Sequence, residues 1–208
     1  IFQPSPRPIA SQDSVRWLLW NLLGKPLTRR PGSAMHRRMP LYDATVPQTL
    51  KMLKNLSQWL DKAAALAEAK SFDVAVLLNS RLAPDQYPLL KQVQAACDAA
   101  KFAAARVAGK EPPKHPDTEQ TWEEIRGRIN SVVAYLEGFK PEDFAGADDR
   151  IVPITFLPGK GAKAGVYLNE MALPNFYFHI VTAYAILRHN GVEIGKRDFI
   201  GGFDLVDL

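Results

Sequence analysis

Four histidines are the residues best suited to acid–base or metal chemistry in this 208-residue chain, and their spacing separates them. His36 and His115 fall in segments rich in proline and polar or basic residues, where exposure to solvent is expected. His179 and His189 share one helical stretch, but ten residues of rise put them about 15 Å apart, too far to hold one ion. A zinc site needs three or four protein ligands, and the single cysteine, Cys97, can supply neither a thiolate set nor an intramolecular disulfide. No metal site is expected from this inventory.

His179 is the candidate of most interest. On a helical wheel it falls on the inward side with Ala183 and Ile186, and Asn175 lies one turn earlier. Gln94, Asp98 and Lys101 follow i, i+4, i+7 on another helical stretch and form a polar stripe beside an apolar one. One reading brings Gln94 and Asp98 to His179 across a helix pair, with Asp98 fixing the imidazole tautomer and raising its basicity as a general base requires. The catalytic candidates are then His179 and Asp98, and the ligand-binding candidates are Arg81, Gln94, Asn175 and Tyr184. The other reading makes Asp98 and Lys101 a solvated ion pair, His179 a satisfied core residue and Cys97 an inert buried thiol. Arg81 either neutralises an anionic ligand or pairs with Asp85.

Phe176, Tyr177 and Phe178 point in three directions, so at least one is expected to face solvent, a crossover or another subunit. With Tyr184 the run could wall a small pocket, and with Tyr167, Leu168 and Met171 it suggests a homodimer. The common catalytic signatures are absent: no His-Glu-x-x-His, no nucleophile elbow and no strand-to-helix phosphate loop. Gly159-Lys160-Gly161 reads as a turn. A small molecule is the partner this reading expects.

The elements that must hold these residues are helices. Val46, Leu50, Leu53, Leu56, Leu60, Ala63 and Ala67 predict one long amphipathic helix over 46–69. After a short apolar piece at 72–78, Asp85 and Pro88 signal a second helix that runs to about Ala108, with Leu89, Val93, Ala96, Ala100, Ala103 and Val107 on its core face. Thr121 and Glu124 have the spacing of a capping box ahead of Trp122, Ile125, Ile129, Val132 and Leu136. Ile151–Leu157, a Pro-Gly turn and Ala164–Leu168 predict a small hairpin, with Pro153 confining its first strand to an edge. A fourth helix over 174–190 carries Phe176, Ile180, Ala183 and Leu187 inward. Four long helices with one elaborated crossover make an all-α four-helix bundle.

Net charge is +4, but residues 1–38 alone carry +6 and residues 39–208 carry −2. The basic excess is confined to an N-terminal arm, 1–38, read as an unstructured tail with one short helix, or as sequence foreign to the domain that starts at Met39. Its basic, Trp- and Leu-containing stretch could also serve as a targeting segment. The remainder, 39–201 plus a C-terminal tail over 202–208, lacks the clustered charge that nucleic acid requires. No apolar run reaches about 18 residues, so no transmembrane segment is expected, and a lone cysteine fits a cytoplasmic, reducing location.

The run Ala172-Leu-Pro-Asn-Phe-Tyr-Phe-His179, its continuation through Arg188-His-Asn190, and Gly191-Val-Glu-Ile-Gly-Lys-Arg-Asp-Phe-Ile-Gly201 closely resemble the signature of domain-of-unknown-function family 1993. So do Ser80-Arg-Leu-Ala-Pro-Asp-Gln-Tyr-Pro-Leu, Gln92-Val-Gln and Asp98-Ala-Ala-Lys101, and the resemblance covers about 39–201. It implies kinship with DinB-like four-helix bundles, whose better-known branches hold a metal with three histidines and in some cases carry out thiol-dependent transfer or isomerisation. This sequence departs from that pattern, with Ala183 one turn after His179 and Gln94 and Asp98 where a histidine would be expected.

Overall fold

The computed structural model describes residues 39–207, so the expectations for the arm 1–38, His36 included, lie outside the described residues. Four long helices form the body: α1 (Leu41–Ala69), α2 (Leu89–Ala108), α3 (Trp122–Glu137) and α5 (Leu173–His189). The expected bundle is present. Its apolar faces are those the periodicity marks: Leu53, Leu56, Leu60, Leu89, Val93, Ile125, Ile129, Phe176 and Ile180 are all fully buried. The charge-free 3.6-residue stripes have nowhere else to go, because each buried aliphatic side chain contributes about 1.5–3 kcal/mol on leaving water.

α1 begins at Leu41, a turn and more before the expected start, and runs through Pro47 without breaking. Thr45 and Thr49 lie fully buried on that turn and return their hydroxyl protons to the carbonyls of Leu41 and Thr45, at 2.6 and 2.9 Å. Burial of Val46, Leu53 and Leu56 outweighs the one hydrogen bond that proline removes.

α2 is the spine of the molecule and packs most extensively against α5. Its alanines at 96, 99, 100, 103, 104 and 105 are buried, and small side chains on successive faces let three neighbouring helices approach it. Gly109 ends it at φ 70°, with the Arg150 guanidinium stacked where a Cβ would be. Arg150 donates there to the orphan carbonyl of Val107. The Thr121–Glu124 capping box opens α3 as expected, each partner bonding the other's backbone N–H.

The short apolar piece after α1 is a 3₁₀ helix, Val74–Asn79. The crossover holds the two-stranded antiparallel hairpin, β1 (Ile151–Pro153) and β2 (Gly161–Lys163), paired Val152 to Ala162. Here one expectation is corrected. Ala164–Leu168, read as the second strand, is helical: α4 (Ala164–Tyr167) follows β2 directly and passes through a π-helical turn, Leu168–Ala172, into α5. Pro174 supplies the reason, since it cannot donate to the carbonyl four residues back and its ring would strike it. Widening the helix over 168–172 relieves that conflict and keeps one rod from 164 to 189. α6 (Lys196–Ile200) then folds back onto α1, and residues 201–207 have no regular structure.

Candidate functional site

Two features meet on α2: an open cleft on its α4–α5 side and a buried cluster of charges on its α3 side. The cleft has a volume of about 410 Å³, and its α2 wall runs from Lys91 through Gln94 and Asp98 to Phe102 and Arg106. These positions recur at helical spacing on one flank of α2. The opposite wall is the rod through Tyr167, Met171, Asn175 and His179. The π-helical turn places Met171 and Ala172 on that wall.

Four of the six predicted site residues, His179, Asp98, Gln94 and Asn175, therefore line one cavity. The other two do not. Tyr184 is five residues beyond His179, roughly 140° around the helix, and faces away. Its ring packs edge-on against Trp59 and Phe199, and its hydroxyl donates to the Ile194 carbonyl at 3.4 Å. Arg81 stands exposed in the turn before α2 and donates to the Pro84 carbonyl, pairing with no carboxylate among the described residues.

His179 is held by Gln92, which is not among the predicted site residues. Gln92 is buried and spends its amide N–H on the Tyr87 carbonyl at 3.1 Å, so its Oε1 can only accept. His179 Nδ1 lies 2.8 Å from that oxygen and must carry the proton. The imidazole is thus the Nδ1–H tautomer, with its Nε2 lone pair left without a partner among the described residues. Burial lowers its pKa below the ordinary 6.5. The contact expected between Asp98 and His179 is not made.

Asp98 is engaged elsewhere. Its Oδ1 accepts from Lys101 Nζ at 2.7 Å and from Arg128 Nη2, and both cations are nearly inaccessible. The expected solvated pair is therefore a buried one, since Lys101 is only 1% exposed. Arg128 also donates through Nη1 to Asp117 at 2.8 Å and Glu119 at 2.9 Å, and Gln94 Nε2 donates to the second oxygen of Glu119 at 2.8 Å. Burial alone would raise the Glu119 carboxyl, but its own backbone N–H, Arg128 and Gln94 hold it below the usual range. Two cations face three carboxylates, leaving the cluster one negative charge. Sequence reasoning missed Arg128, Asp117 and Glu119 because they come from α3 and the connection before it, with no periodic relation to α2. Gln94 Oε1 and Arg128 Nε remain without partners among the described residues.

His115 is corrected from an exposed loop residue to a half-buried member of this cluster. Its Nδ1 lies 2.9 Å from Lys101 Nζ and its Nε2 lies 3.1 Å from Ser131 Oγ. An ammonium can only donate, so Nδ1 holds the lone pair and Nε2–H points at the serine. That tautomer cannot take the Ser131 proton, which excludes a Ser–His nucleophile in this state. Burial, then Lys101 and Arg128, keep His115 below its ordinary pKa. Cys97 lies beneath the cluster, and burial pushes its thiol up to about 12, as an inert thiol requires.

The family model for Domain of unknown function (DUF1993) matches residues 41–200. The chain belongs to this family. Among solved structures, the DUF1993 chain is similar to a DinB family member protein from Shewanella denitrificans, whose crystal structure is at 1.83 Å resolution. The two are 52% identical over 81% of this chain and 96% of that one, with a TM-score of 0.78. No curated protein matches the sequence.

DinB kinship raises a three-histidine metal, and the donor set of this DUF1993 domain does not fit one. Among the described residues no three of His, Cys, Asp and Glu are grouped to hold an ion. His179 meets the Gln92 amide rather than a carboxylate, and Asp98 already neutralises Lys101 and Arg128. A cation placed at Asp98 would stand against two buried positive charges.

Proposed function

We propose that the chain binds a small molecule in the cleft between α2 and α5, with His179 as the group that accepts a hydrogen bond or proton from it. The observation that carries this reading is the state of His179: a cleft-lining imidazole, locked by Gln92 with its Nε2 lone pair unspent among the described residues. The wall around it is amphipathic, with Tyr87, Phe102 and Tyr167 for an apolar body and Asp98, Gln94 and Asn175 for polar contacts. Such a mixture is the usual make-up of a ligand site. Asp98 serves here as a wall and charge-cluster residue, and the imidazole is oriented by Gln92 instead.

A fragment library screened by NMR against the full chain tests the reading, with the His179 imidazole resonances as reporter. Fragments that shift those resonances and lose affinity in His179→Ala support it. A screen whose hits all bind elsewhere, or bind His179→Ala equally well, overturns it.

A second reading, a homodimeric interaction module, is favoured by one observation. Phe178 and Val181 stand 57% and 48% exposed, three residues apart on the outer face of α5. Side chains of this kind at helical spacing suit an isologous contact between two copies. Sedimentation equilibrium distinguishes the readings: a dimer that Phe178→Glu converts to monomer supports the module, and a monomeric wild type removes it.

A further inference from the structure

We propose that the cleft selects a ligand with an oxyanion headgroup, carboxylate or phosphate, and that Arg106 is its anchor. This rests on the reading of the cleft as a ligand site. The argument begins with charge. Lys101 and Arg128 are each neutralised by carboxylates, whereas Arg106, on the same helix and lining the cleft, makes no ion pair among the described residues. Its one side-chain hydrogen bond among the described residues runs from Nη1 to the Tyr167 hydroxyl at 3.3 Å. Of five guanidinium N–H donors, four are left to offer.

The guanidinium is also held in place. It sits 4.7 Å from the Phe102 ring centroid and 5.9 Å from that of Tyr167, one ring from each wall of the cleft. Arginine stacked in this way has already lost much of its rotamer freedom, so an incoming oxyanion finds a preorganised fork. Lys91, the other cation on the cleft wall, has neither a carboxylate partner nor such a clamp among the described residues. Between the two lie Asp98 and Asp117, part of a cluster with one excess negative charge, which disfavours an anion in the middle of the cleft. An oxyanion is thereby directed to the Arg106 end. From Gln92, which marks the His179 end, to Arg106 is about 21 Å of α2, so a ligand that reaches both ends is elongated.

Three probes that differ only in headgroup test this on the full chain: phenylbutyrate, phenylbutanol and phenylbutylamine, with phenylpropyl phosphate as the phosphate arm. Binding is followed by calorimetry and by the Arg106 guanidinium resonances. The carboxylate or the phosphate is expected to bind at least about tenfold more tightly than the alcohol, the scale of a charge-assisted hydrogen bond, and the tighter of the two names the headgroup. Arg106→Gln is expected to abolish that preference, Arg106→Lys to keep part of it, and Lys91→Gln to leave it in place. An alcohol or amine that binds as well as both anions overturns the anchor while leaving the cleft reading intact. A preference that survives Arg106→Gln, or is lost in Lys91→Gln instead, overturns it too. Failure of all four probes to bind overturns the anchor, and the fragment screen at His179 decides the cleft reading separately.

Discussion

Gln92 and His179 are joined by a 2.8 Å hydrogen bond across the α2–α5 interface, and the glutamine, having spent its N–H on Tyr87, dictates which imidazole nitrogen is protonated. The neutral Nδ1–H tautomer is therefore expected to dominate at pH 7, with a His179 pKa below 6.5 because burial disfavours the imidazolium. Gln92→Glu places a carboxylate at the same nitrogen and is expected to raise that pKa above the wild-type value. Imidazole ¹⁵N shifts followed through a pH titration report both. A wild-type His179 protonated on Nε2 in its neutral form would contradict the assignment.

Arg128 holds three carboxylates together from a position with essentially no solvent contact. Arg128→Ala leaves Asp98, Asp117 and Glu119 facing one another with only Lys101 to offset them. The expected cost is about 3 kcal/mol, the lower part of the range for breaking a buried ion pair, because Asp117 and Asp98 retain partial exposure. Denaturant unfolding of the variant measures it, and a loss below about 1 kcal/mol would mean that the cluster contributes little to stability.

The two histidines of the α2 neighbourhood also set an acid limit. His115 and His179 both have folded pKa values below 6.5, so their stabilising contribution is fully present above pH 6.5. It is lost as the pH falls through the folded values, since the unfolded chain takes up protons first. Glu119, depressed below 4.5, adds a further loss at lower pH with the same sign. Stability measured between pH 7 and pH 5 is expected to fall in the wild type and to fall less steeply in His115→Gln. Identical slopes for the two proteins would remove His115 from this account.

Gly201 tests how α6 is docked. At φ 66° and ψ −169° it occupies a region open almost only to glycine, and a Cβ there would lie 2.6 Å from Asn55 Oδ1. The same Asn55 donates to the Phe199 carbonyl at 2.9 Å and so secures the end of α6. Gly201→Ala is expected to cost about 2 kcal/mol, with the loosening seen as faster hydrogen exchange at α6. A variant as stable as the parent would show that α6 is not anchored there.

The long helices were legible in the sequence because each must bury a stripe repeating every 3.6 residues, and a stripe such as Leu89, Val93, Ala96, Ala100 needs no knowledge of its neighbour. The capping box at Thr121 and the stop at Gly109 were legible for the same reason, being bonds within a few residues. Pairings between elements were not. Gln94, Asp98, Asn175 and His179 could be placed on two helix faces, and those faces do meet at one cleft. Which atom meets which depended on the axial offset of α2 against α5, and that offset put Gln92 rather than Asp98 opposite His179. Asp98 turned instead to Arg128, which comes from α3. The π-helical turn ahead of α5 widens the rod where Pro174 lacks an N–H, and Tyr167 meets Arg106 on the far side of that turn. Local periodicity decides which residues face inward. Tertiary packing alone decides their partners, because charge and hydrogen-bond satisfaction are settled by distances of a few ångströms between segments far apart in the chain.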